Sequence, residues 1–415
     1  MSLPHHVQTL VIGGGPAGSA TAAFLANAGV DVTLCDRAHF PRPKPCAEYL
    51  SPEASRVLQA LGALDAIEAA GAAHLSGMRV RAANGAVIDG AFAAQHGFRG
   101  FRDRGLALRR DVLDPLLLDR ARAAGTDVRE GVTLESLTPR ARGRGYDVVL
   151  RHTGATHTVH ADMVIGADGL RSRVARRLGV ARRARWPRRV AFVAHWRGVE
   201  GIGEKGEMHV ERDGYLGLAD VGHGLTNVAL VVPSTQARDA AADQDAFVRA
   251  WIARRPHLAP RFAHAERVTP VRATGPFAVR TTRAWANDAA LVGDAADFYD
   301  PFTGEGIYAA LRGGELLAPF VADALRAPSV NAARRALAAY EAARRATFGG
   351  KWRVERLIGL AVGVPALMNH AARVLTRRTD LADLLIGVTG DFVPAREVLR
   401  PSVLWRLVIP PVHSA

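Results

Sequence analysis

The chain has 415 residues, of which 48% are hydrophobic and 41 are glycine, and its net charge is +14. A chain of this length buries a core in two or three packing units, so its composition excludes a disordered protein and favours a globular α/β fold. The two cysteines, Cys35 and Cys46, exclude a disulfide framework and a zinc pattern and favour a reducing compartment, so the expected location is cytoplasmic.

Targeting and membrane signals are weak along the sequence. No charged start or signal-type core precedes the first apolar strand, and the longest apolar run, Leu357 to Met368, is shorter than the roughly 20 residues of a spanning helix.

A basic cluster at residues 171–189 is expected to be a solvated surface or, alternatively, to attract anionic lipid, an acidic carrier or a phosphorylated cofactor. It holds one aromatic residue, Trp186, so nucleic acid is not an expected partner.

A glycine fingerprint lies near the start of the chain. Gly13, Gly15 and Gly18 follow an apolar strand and precede a helix of small residues, and a second strand ends at Asp36. Two glycines let a pyrophosphate approach the backbone at the helix N-terminus, Gly18 lets helix pack on strand, and the acid accepts a ribose hydroxyl. The segment predicts a dinucleotide site, to which the adjacent Arg37 is also assigned.

Two later segments repeat the arrangement of acid and glycine after an apolar strand. In ADMVIGADGLRS the strand ends before Asp168 and Gly169, and in ALVGDAADFYDPFTGEGI it ends at Gly293 and Asp294. Doubly wound sheets bind their ligands at the carboxyl ends of the strands. We therefore expect the three segments to meet around one cofactor.

Together with Arg110 in RRDVLDPLL, these motifs resemble those of FAD-dependent aromatic hydroxylases and geranylgeranyl reductases, over residues 7 to about 325. The resemblance implies a glutathione-reductase-type fold with FAD as cofactor and NAD(P)H as reductant. It also implies that Asp294 binds the ribityl chain and that Arg110 reaches the flavin side of FAD. Asp168 and Gly169 would support the cofactor and guide NAD(P)H.

The segment DPFTGEGI is expected to face the flavin ring. Pro301 and Gly304 interrupt the chain before a helix that begins near Glu305, so the amides of Gly304, Glu305 and Gly306 point outward at a helix N-terminus. A reduced flavin carries negative charge, and this end of the helix dipole stabilises it.

Cys46 lies in the proline-rich loop FPRPKPCAEYLSPEA, which is expected to end where Ser51 caps a helix that starts at Pro52. The loop is similar to the Pro-Arg-x-Lys-x-Cys-Gly loop of geranylgeranyl reductases, except that Ala47 replaces the glycine, and this implies a place for Cys46 near the isoalloxazine. A thiol beside Lys44 and helix N-termini is expected to be partly ionised and to donate protons or tune the flavin. The alternative is a small buried apolar side chain.

Alternating strands between residues 188 and 283 predict an antiparallel sheet over the flavin, with Asp213-Gly214 as a hairpin turn and a dry wall for the substrate pocket. His195 could line the pocket, but exposure on the back of the sheet is the favoured interpretation. The Tyr-x-Trp-x-Phe-Pro signature of isoprenoid reductases is replaced by YLGLAD at 215–220. The Trp-x-Trp-x-Ile-Pro signature of flavin halogenases is missing from the same place.

The predicted fold class is α/β: a glutathione-reductase-type FAD-binding Rossmann fold with an inserted antiparallel-sheet substrate domain and a helical C-terminal segment. The predicted boundaries are 1–75, 100–185 and 286–345 for the discontinuous FAD-binding domain, 76–99 and 186–285 for the substrate-binding sheet, and 346–415 for the C-terminal segment. The helices of that last segment have basic flanks and are expected to cap the sheet or to make a peripheral contact with a membrane.

The expected activity is that of an FAD-dependent oxidoreductase acting on a hydrophobic small molecule, with Cys46 as candidate catalytic residue and without a metal. Hydroxylation of an aromatic or polyketide-like substrate by O2 through a flavin C4a-hydroperoxide is favoured, because the isoprenoid signature is absent. The alternative is reduction of isoprenoid or quinone side-chain double bonds, which Cys46 and DPFTGEGI suggest. A flavin-free binding protein and a nicotinamide-only dehydrogenase are disfavoured by the intact motifs.

Overall fold

The computed structural model describes residues 3–94, 96–141, 143–183, 186, 188–240 and 242–409. The first elements in chain order are β1 His6–Ile12, α1 Pro16–Asn27, β2 Val32–Asp36, β3 Tyr49–Leu50, α2 Ala54–Ala60, α3 Leu64–Ala69, β4 Ala73–Leu75, β5 Gly77–Arg81 and β6 Val87–Ala91. They are followed by β7 Gly105–Ala107, α4 Arg110–Ala123, β8 Asp127–Glu130, β9 Thr133–Pro139, β10 Tyr146–His152, β11 Ala155–Gly166, α5 Arg173–Arg177 and β12 Ala181–Arg183.

The second half of the chain begins with a strand-rich part. Its elements are β13 Arg189–Arg197, β14 Lys205–Glu211, β15 Gly214–Asp220, β16 Leu225–Pro233, α6 Gln244–Ala253, β17 Glu266–Arg267, β18 Arg272–Thr274, β19 Val279–Thr281, β20 Trp285–Ala286, β21 Ala289–Leu291 and β22 Asp297–Phe298. The last helices are α7 Gly306–Arg326, α8 Val330–Gly363, α9 Pro365–Arg377, α10 Thr379–Thr389, α11 Ala395–Val398 and α12 Pro401–Val408.

A mostly parallel sheet forms the first layer of the fold. Its parallel strands lie in the order β21, β11, β1, β2 and β8, and β9 and β10 join the long strand β11 as an antiparallel ribbon. All five residues of β2 are buried, as expected for a parallel strand that is covered on both faces. The carboxyl ends of β1, β2, β11 and β21 therefore meet at one edge.

A second sheet lies across that edge. Its strands follow the order β17, β13, β16, β15, β14, β5 and β6, and all neighbours are antiparallel except β5 and β14. Phe192 and Trp196 on one face pack with Trp251 of α6, whereas Val193 and Ala229 face the other way. The sheet thus has one face closed by a helix and one face turned toward the first layer.

The C-terminal helices cover the edge strand β6. The Thr376 hydroxyl of α9 donates to the Val87 carbonyl at 2.9 Å, and Asp383 of α10 accepts from the Ala91 amide at 3.0 Å. These contacts satisfy backbone groups that an edge strand would otherwise expose. Among the described residues no single helix is long and apolar enough to cross a membrane, and α8 with α9 reaches that length and composition only as a pair bent by 111°.

The predicted fold class is confirmed, with the inserted antiparallel sheet and the helical C-terminal segment both present. The exact domain boundaries stay predictions. Helix α2 begins at Ala54 rather than at Pro52, because residues 52 and 53 form a turn in which the Ser51 oxygens accept from the Ala54 amide. Part of the basic cluster predicted at 171–189, residues 184, 185 and 187, lies outside the described residues.

A buried ion pair joins the two layers. Arg189 at the start of β13 donates to Asp300 at 2.7 Å, and the other carboxylate oxygen of Asp300 accepts from the Tyr215 hydroxyl of β15 at 2.7 Å. Both members of the ion pair are buried. Because Asp300 precedes the DPFTGEGI loop segment Pro301–Thr303, this contact sets the position of the loop relative to the second sheet.

We expect Arg189→Met to lower the free energy of unfolding by about 3–5 kcal/mol, since it leaves the Asp300 carboxylate buried without its cation. The neighbouring Arg188 is exposed, so Arg188→Met is the matched control and should change stability by less than about 0.5 kcal/mol. Urea denaturation followed by circular dichroism measures both. Equal losses for the two variants would contradict the structural role of the ion pair.

Candidate active site

The glycine fingerprint forms a close three-way contact between β1, α1 and the end of β11. A Cβ on Gly13 would overlap the carbonyl oxygen of Ala167, and one on Gly18 would overlap the carbonyl oxygen of Gly13. Gly13 has φ +109°, a backbone conformation that other residues rarely adopt. Gly18 is therefore a packing residue, whereas Gly13 and Gly15 border the open space at the N-terminus of α1.

Asp36 is placed at the end of β2 as predicted for a ribose acceptor. Its Oδ2 accepts from the Gly14 amide at 2.7 Å and its Oδ1 accepts from the Ala38 amide at 2.8 Å. These two bonds hold the carboxylate against the glycine turn. Arg37, the next residue, is exposed at the same end of the site.

Two cationic side chains lie beside the N-terminus of α1, and a third lies beside the residues that follow β11. Arg110 is buried and forms a bidentate pair with Asp114 at 2.6 and 2.8 Å, and Arg42 reaches the same carboxylate at 3.3 Å. Guanidinium nitrogens of both arginines lie 3.6 Å from where a Gly15 Cβ would be, and Lys44 approaches Gly169 in the same way. Cations at a helix N-terminus make a site for a phosphate group.

One cavity of about 690 Å³ joins these features to the inner face of the second sheet. The predicted site residues that line it are Gly13, Gly15, Asp36, Arg37, Cys46, Arg110, Asp168, Gly169, Asp294, Pro301, Gly304 and Gly306. On the sheet side it is lined by Val193, Gly217, Asn227 and Ala229. The three sequence segments thus converge on a single elongated cavity, as expected.

The acids on β11 and β21 are held in different ways. Asp168 Oδ2 accepts from the Arg173 and Val174 amides, whereas its Oδ1 is buried with no hydrogen-bond partner in the described part of the chain. Burial raises the pKa of both Asp168 and Asp294, and Lys44 and Arg110 partly offset this for Asp294. An unpaired buried oxygen on a cavity wall is a group that a polar ligand can satisfy.

The DPFTGEGI loop has the predicted shape, with one difference. Gly304 has φ +73° and precedes α7, whose first helical residue is Gly306. The Glu305 side chain, however, turns away from the cavity and lies 2.8 Å from Lys351 Nζ of α8. The prediction that Glu305 faces a cofactor therefore applies to its backbone amide and no longer to its side chain. Gly293 also lies behind the cavity, where a Cβ would press against Ala17.

Cys46 lines the cavity, and the pKa of its thiol shifts in the direction opposite to the one expected from the sequence. Burial raises the pKa of Cys46, and the nearby Arg110 guanidinium offsets this only in part. Lys44 does not reverse the effect, since burial lowers the pKa of its own ammonium group. Partial ionisation would need a lowered pKa, so that expectation is wrong, and a thiol that keeps its proton can act as a proton donor.

The loop around Cys46 is held by Glu48, which the sequence-based prediction missed. Glu48 has φ +61° and is buried; its Oε1 accepts from the Arg110 amide at 2.9 Å. Its Oε2 accepts from Asn227 Nδ2 at 2.9 Å and from His195 Nε2 at 2.7 Å. Asn227 also donates to the Cys46 carbonyl at 2.9 Å. The expectation that His195 lies on the exposed back of the sheet is therefore wrong.

A family model described as an FAD binding domain matches residues 6–352 of the chain. The chain belongs to this FAD-binding family. The fit is physical as well: the glycine turn, the cations beside it, the unpaired Asp168 oxygen and the elongated cavity suit a flavin dinucleotide. The protein is an FAD-dependent oxidoreductase, and the predicted resemblance to the hydroxylase and geranylgeranyl reductase families is confirmed.

Individual relatives are similar over most of this flavoprotein. A menaquinone reductase of Mycolicibacterium smegmatis is 26% identical over 413 residues, covering 96% of this chain and 95% of that protein. A digeranylgeranylglycerophospholipid reductase of Methanosarcina acetivorans is 28% identical over 337 residues, covering 78% of this chain and 77% of that protein. The structure of a flavoprotein/dehydrogenase from Cytophaga hutchinsonii superposes with a TM-score of 0.82 at 21% identity, covering 97% of each chain, and shows the shared fold.

We expect Arg42→Gln to weaken FAD binding roughly ten- to hundredfold, because it removes a charge-assisted hydrogen-bond donor beside the glycine turn. Quenching of flavin fluorescence during titration of the apoprotein measures the Kd. Arg335→Gln, on an exposed position of α8, is the control and should leave the Kd unchanged. An unchanged Kd for Arg42→Gln would remove Arg42 from the cofactor site.

The pH dependence of alkylation tests the state of Cys46. Because burial raises its pKa, the rate of reaction with iodoacetamide should still be rising above about pH 8.5, the ordinary cysteine value. Mass spectrometry of the Cys46 peptide across a pH series gives the profile. Cys35 is an internal control that should stay unmodified, since it is buried in β2 with its pKa raised to about 12. A rate that levels off below about pH 8 would show an ionised thiol.

Proposed function

We propose that this flavoenzyme reduces a carbon–carbon double bond in the isoprenoid side chain of a hydrophobic lipid such as a quinone, with NAD(P)H as the source of electrons. The observation that carries the proposal is the position of Cys46, whose thiol pKa is raised by burial, on the wall of the cavity between the glycine turn and the second sheet. The names of the menaquinone reductase and digeranylgeranylglycerophospholipid reductase relatives support it.

Saturation of a double bond needs a hydride on one carbon and a proton on the other. Reduced FAD supplies the hydride equivalent when it is bound. A thiol with a raised pKa keeps its proton in the resting protein and gives it up to a carbon that becomes basic during the reaction. Cys46 is the candidate donor, and the Glu48, Asn227 and Arg110 contacts hold its loop at the cavity wall.

The second sheet is shaped for a bulky apolar substrate. Gly217 and Ala219 of β15 line the cavity at the positions where isoprenoid reductases carry Trp and Phe. Their neighbours on the cavity wall, Val193, Val231 and Phe277, are apolar. The small residues leave room that an aromatic or quinone ring can fill, which is consistent with a lipid that carries a large head as well as a prenyl chain.

Hydroxylation of an aromatic or polyketide-like substrate by O2 is the second candidate function. The apolar lining of the sheet side favours it, because a dry pocket protects oxygen-activating flavin chemistry from water. The two candidates differ in their need for O2. They also differ in the product, which gains two hydrogen atoms in one case and one oxygen atom in the other.

We expect the purified holoenzyme to convert a menaquinone-type substrate to a product with two additional hydrogen atoms under anaerobic conditions, with NADH or NADPH as reductant. Cys46→Ala should lower this turnover by about 100-fold or more, while FAD stays bound, since the proton donor is lost. Product masses and flavin absorbance measure the two effects. Cys35→Ala is the control and should keep activity.

An oxygen-containing product that forms only with O2 would overturn the reductase in favour of the hydroxylase. Full anaerobic activity of Cys46→Ala would show that the proton comes from another group.

A further inference from the structure

A continuous exposed apolar stripe runs along the end of α8 and into α9. Its members are Leu357, Leu360, Val364 and Leu367, which are 47%, 43%, 37% and 45% exposed. Leu357 and Leu360 lie on one side of α8, and Val364 and Leu367 follow where the chain bends by 111° into α9. A row of large exposed side chains of this kind marks a surface that meets another apolar phase.

The stripe is extended by Trp186, which is 50% exposed. A Cβ on Gly363 would lie 2.7 Å from the Trp186 ring, so the indole sits directly on the last turn of α8. Indole rings are favoured at the boundary between lipid and water because they are apolar with one polar edge.

Positive charge borders the stripe. Arg353 and Arg356 are exposed on α8, and Arg373 and Arg377 are exposed on α9. In the described part of the chain, no acidic group lies within 4 Å of the side-chain nitrogens of these four arginines. Glu355 is the one acidic residue between positions 345 and 378, and it lines a cavity beneath the stripe.

That cavity has a volume of about 740 Å³ and is distinct from the sheet side of the FAD cavity. Leu357, Leu360 and Trp186 line it and are also exposed, so it opens within the stripe. At its inner end it reaches Asp294 and Gly306, which also line the FAD cavity. The stripe therefore surrounds an opening that leads toward the cofactor.

We propose that this face, the stripe with Trp186 and its bordering arginines, docks on the surface of a membrane that contains anionic lipids. The apolar side chains insert at the boundary between the lipid headgroups and the acyl chains, while the arginines bind lipid phosphates. A second copy of the chain is a poorer occupant, because a two-fold contact would bring the unpaired arginines of both copies together. The proposal does not depend on which reaction the flavin performs.

Co-sedimentation of the holoprotein with vesicles of phosphatidylcholine, with or without phosphatidylglycerol, tests the proposal. We expect binding to the anionic vesicles and a salt-sensitive loss of roughly 30-fold for Arg353→Gln/Arg356→Gln, from about 1 kcal/mol for each cation at the surface. Leu357→Glu/Leu360→Glu should lower binding at least as much. Val268→Glu, at a residue 40% exposed outside the stripe, is the control and should bind like the wild type.

Three results would overturn the docking surface: no preference of the wild type for anionic vesicles, equal binding by the leucine double variant, or a dimer in light scattering that the leucine variant makes monomeric. Retained flavin absorbance and an unchanged Tm show that each variant is folded. Since vesicle binding requires no turnover, a failed reductase assay leaves this test intact, and a failed binding test leaves the reductase proposal intact.

Discussion

The Glu48 carboxylate is the contact on which the arrangement of the active site depends. It is 2% exposed and accepts hydrogen bonds from the Arg110 amide of the first layer and from Asn227 and His195 of the second sheet. A buried carboxylate is costly unless its oxygens are satisfied, so the three donors must stay together. Cys46 lies two residues earlier and is held in place as a consequence.

A second set of contacts joins the two layers. Arg189, Asp300 and Tyr215 connect the start of β13 and β15 to the loop that leads into α7. The two contacts together fix both the proline-rich loop and the DPFTGEGI loop against one sheet. Such fixed loops matter for catalysis because a bound cofactor and the side chains around it must keep a defined separation.

The two ends of the cavity differ in charge and polarity. Near the glycine turn, cations paired with Asp114 create a site for phosphates. Near the sheet, apolar side chains and small residues dominate, and burial raises the pKa of the Cys46 thiol. A charged end and a dry end in one cavity suit a cofactor whose dinucleotide part is anionic and whose reacting ring requires a water-poor environment.

The sequence by itself determined the parts of the protein whose physics is local. The turn at Gly13 and Gly18, Asp36 at the end of its strand and the helix start after Gly304 could all be predicted, since each depends on backbone geometry within a few residues. The antiparallel sheet could be predicted as well from strand alternation.

Tertiary structure alone decided the contacts between distant segments. Glu48 and His195 are 147 residues apart, and no local pattern indicates that one faces the other. The side chain of Glu305 likewise turns to Lys351 of α8, a cation that lies far along the chain. The pKa of Cys46 is raised by burial, which also depends on segments distant in the sequence. The burial of a side chain and its hydrogen-bond and ion-pair partners depend on the whole fold, whereas a sequence motif predicts only the local backbone structure around it.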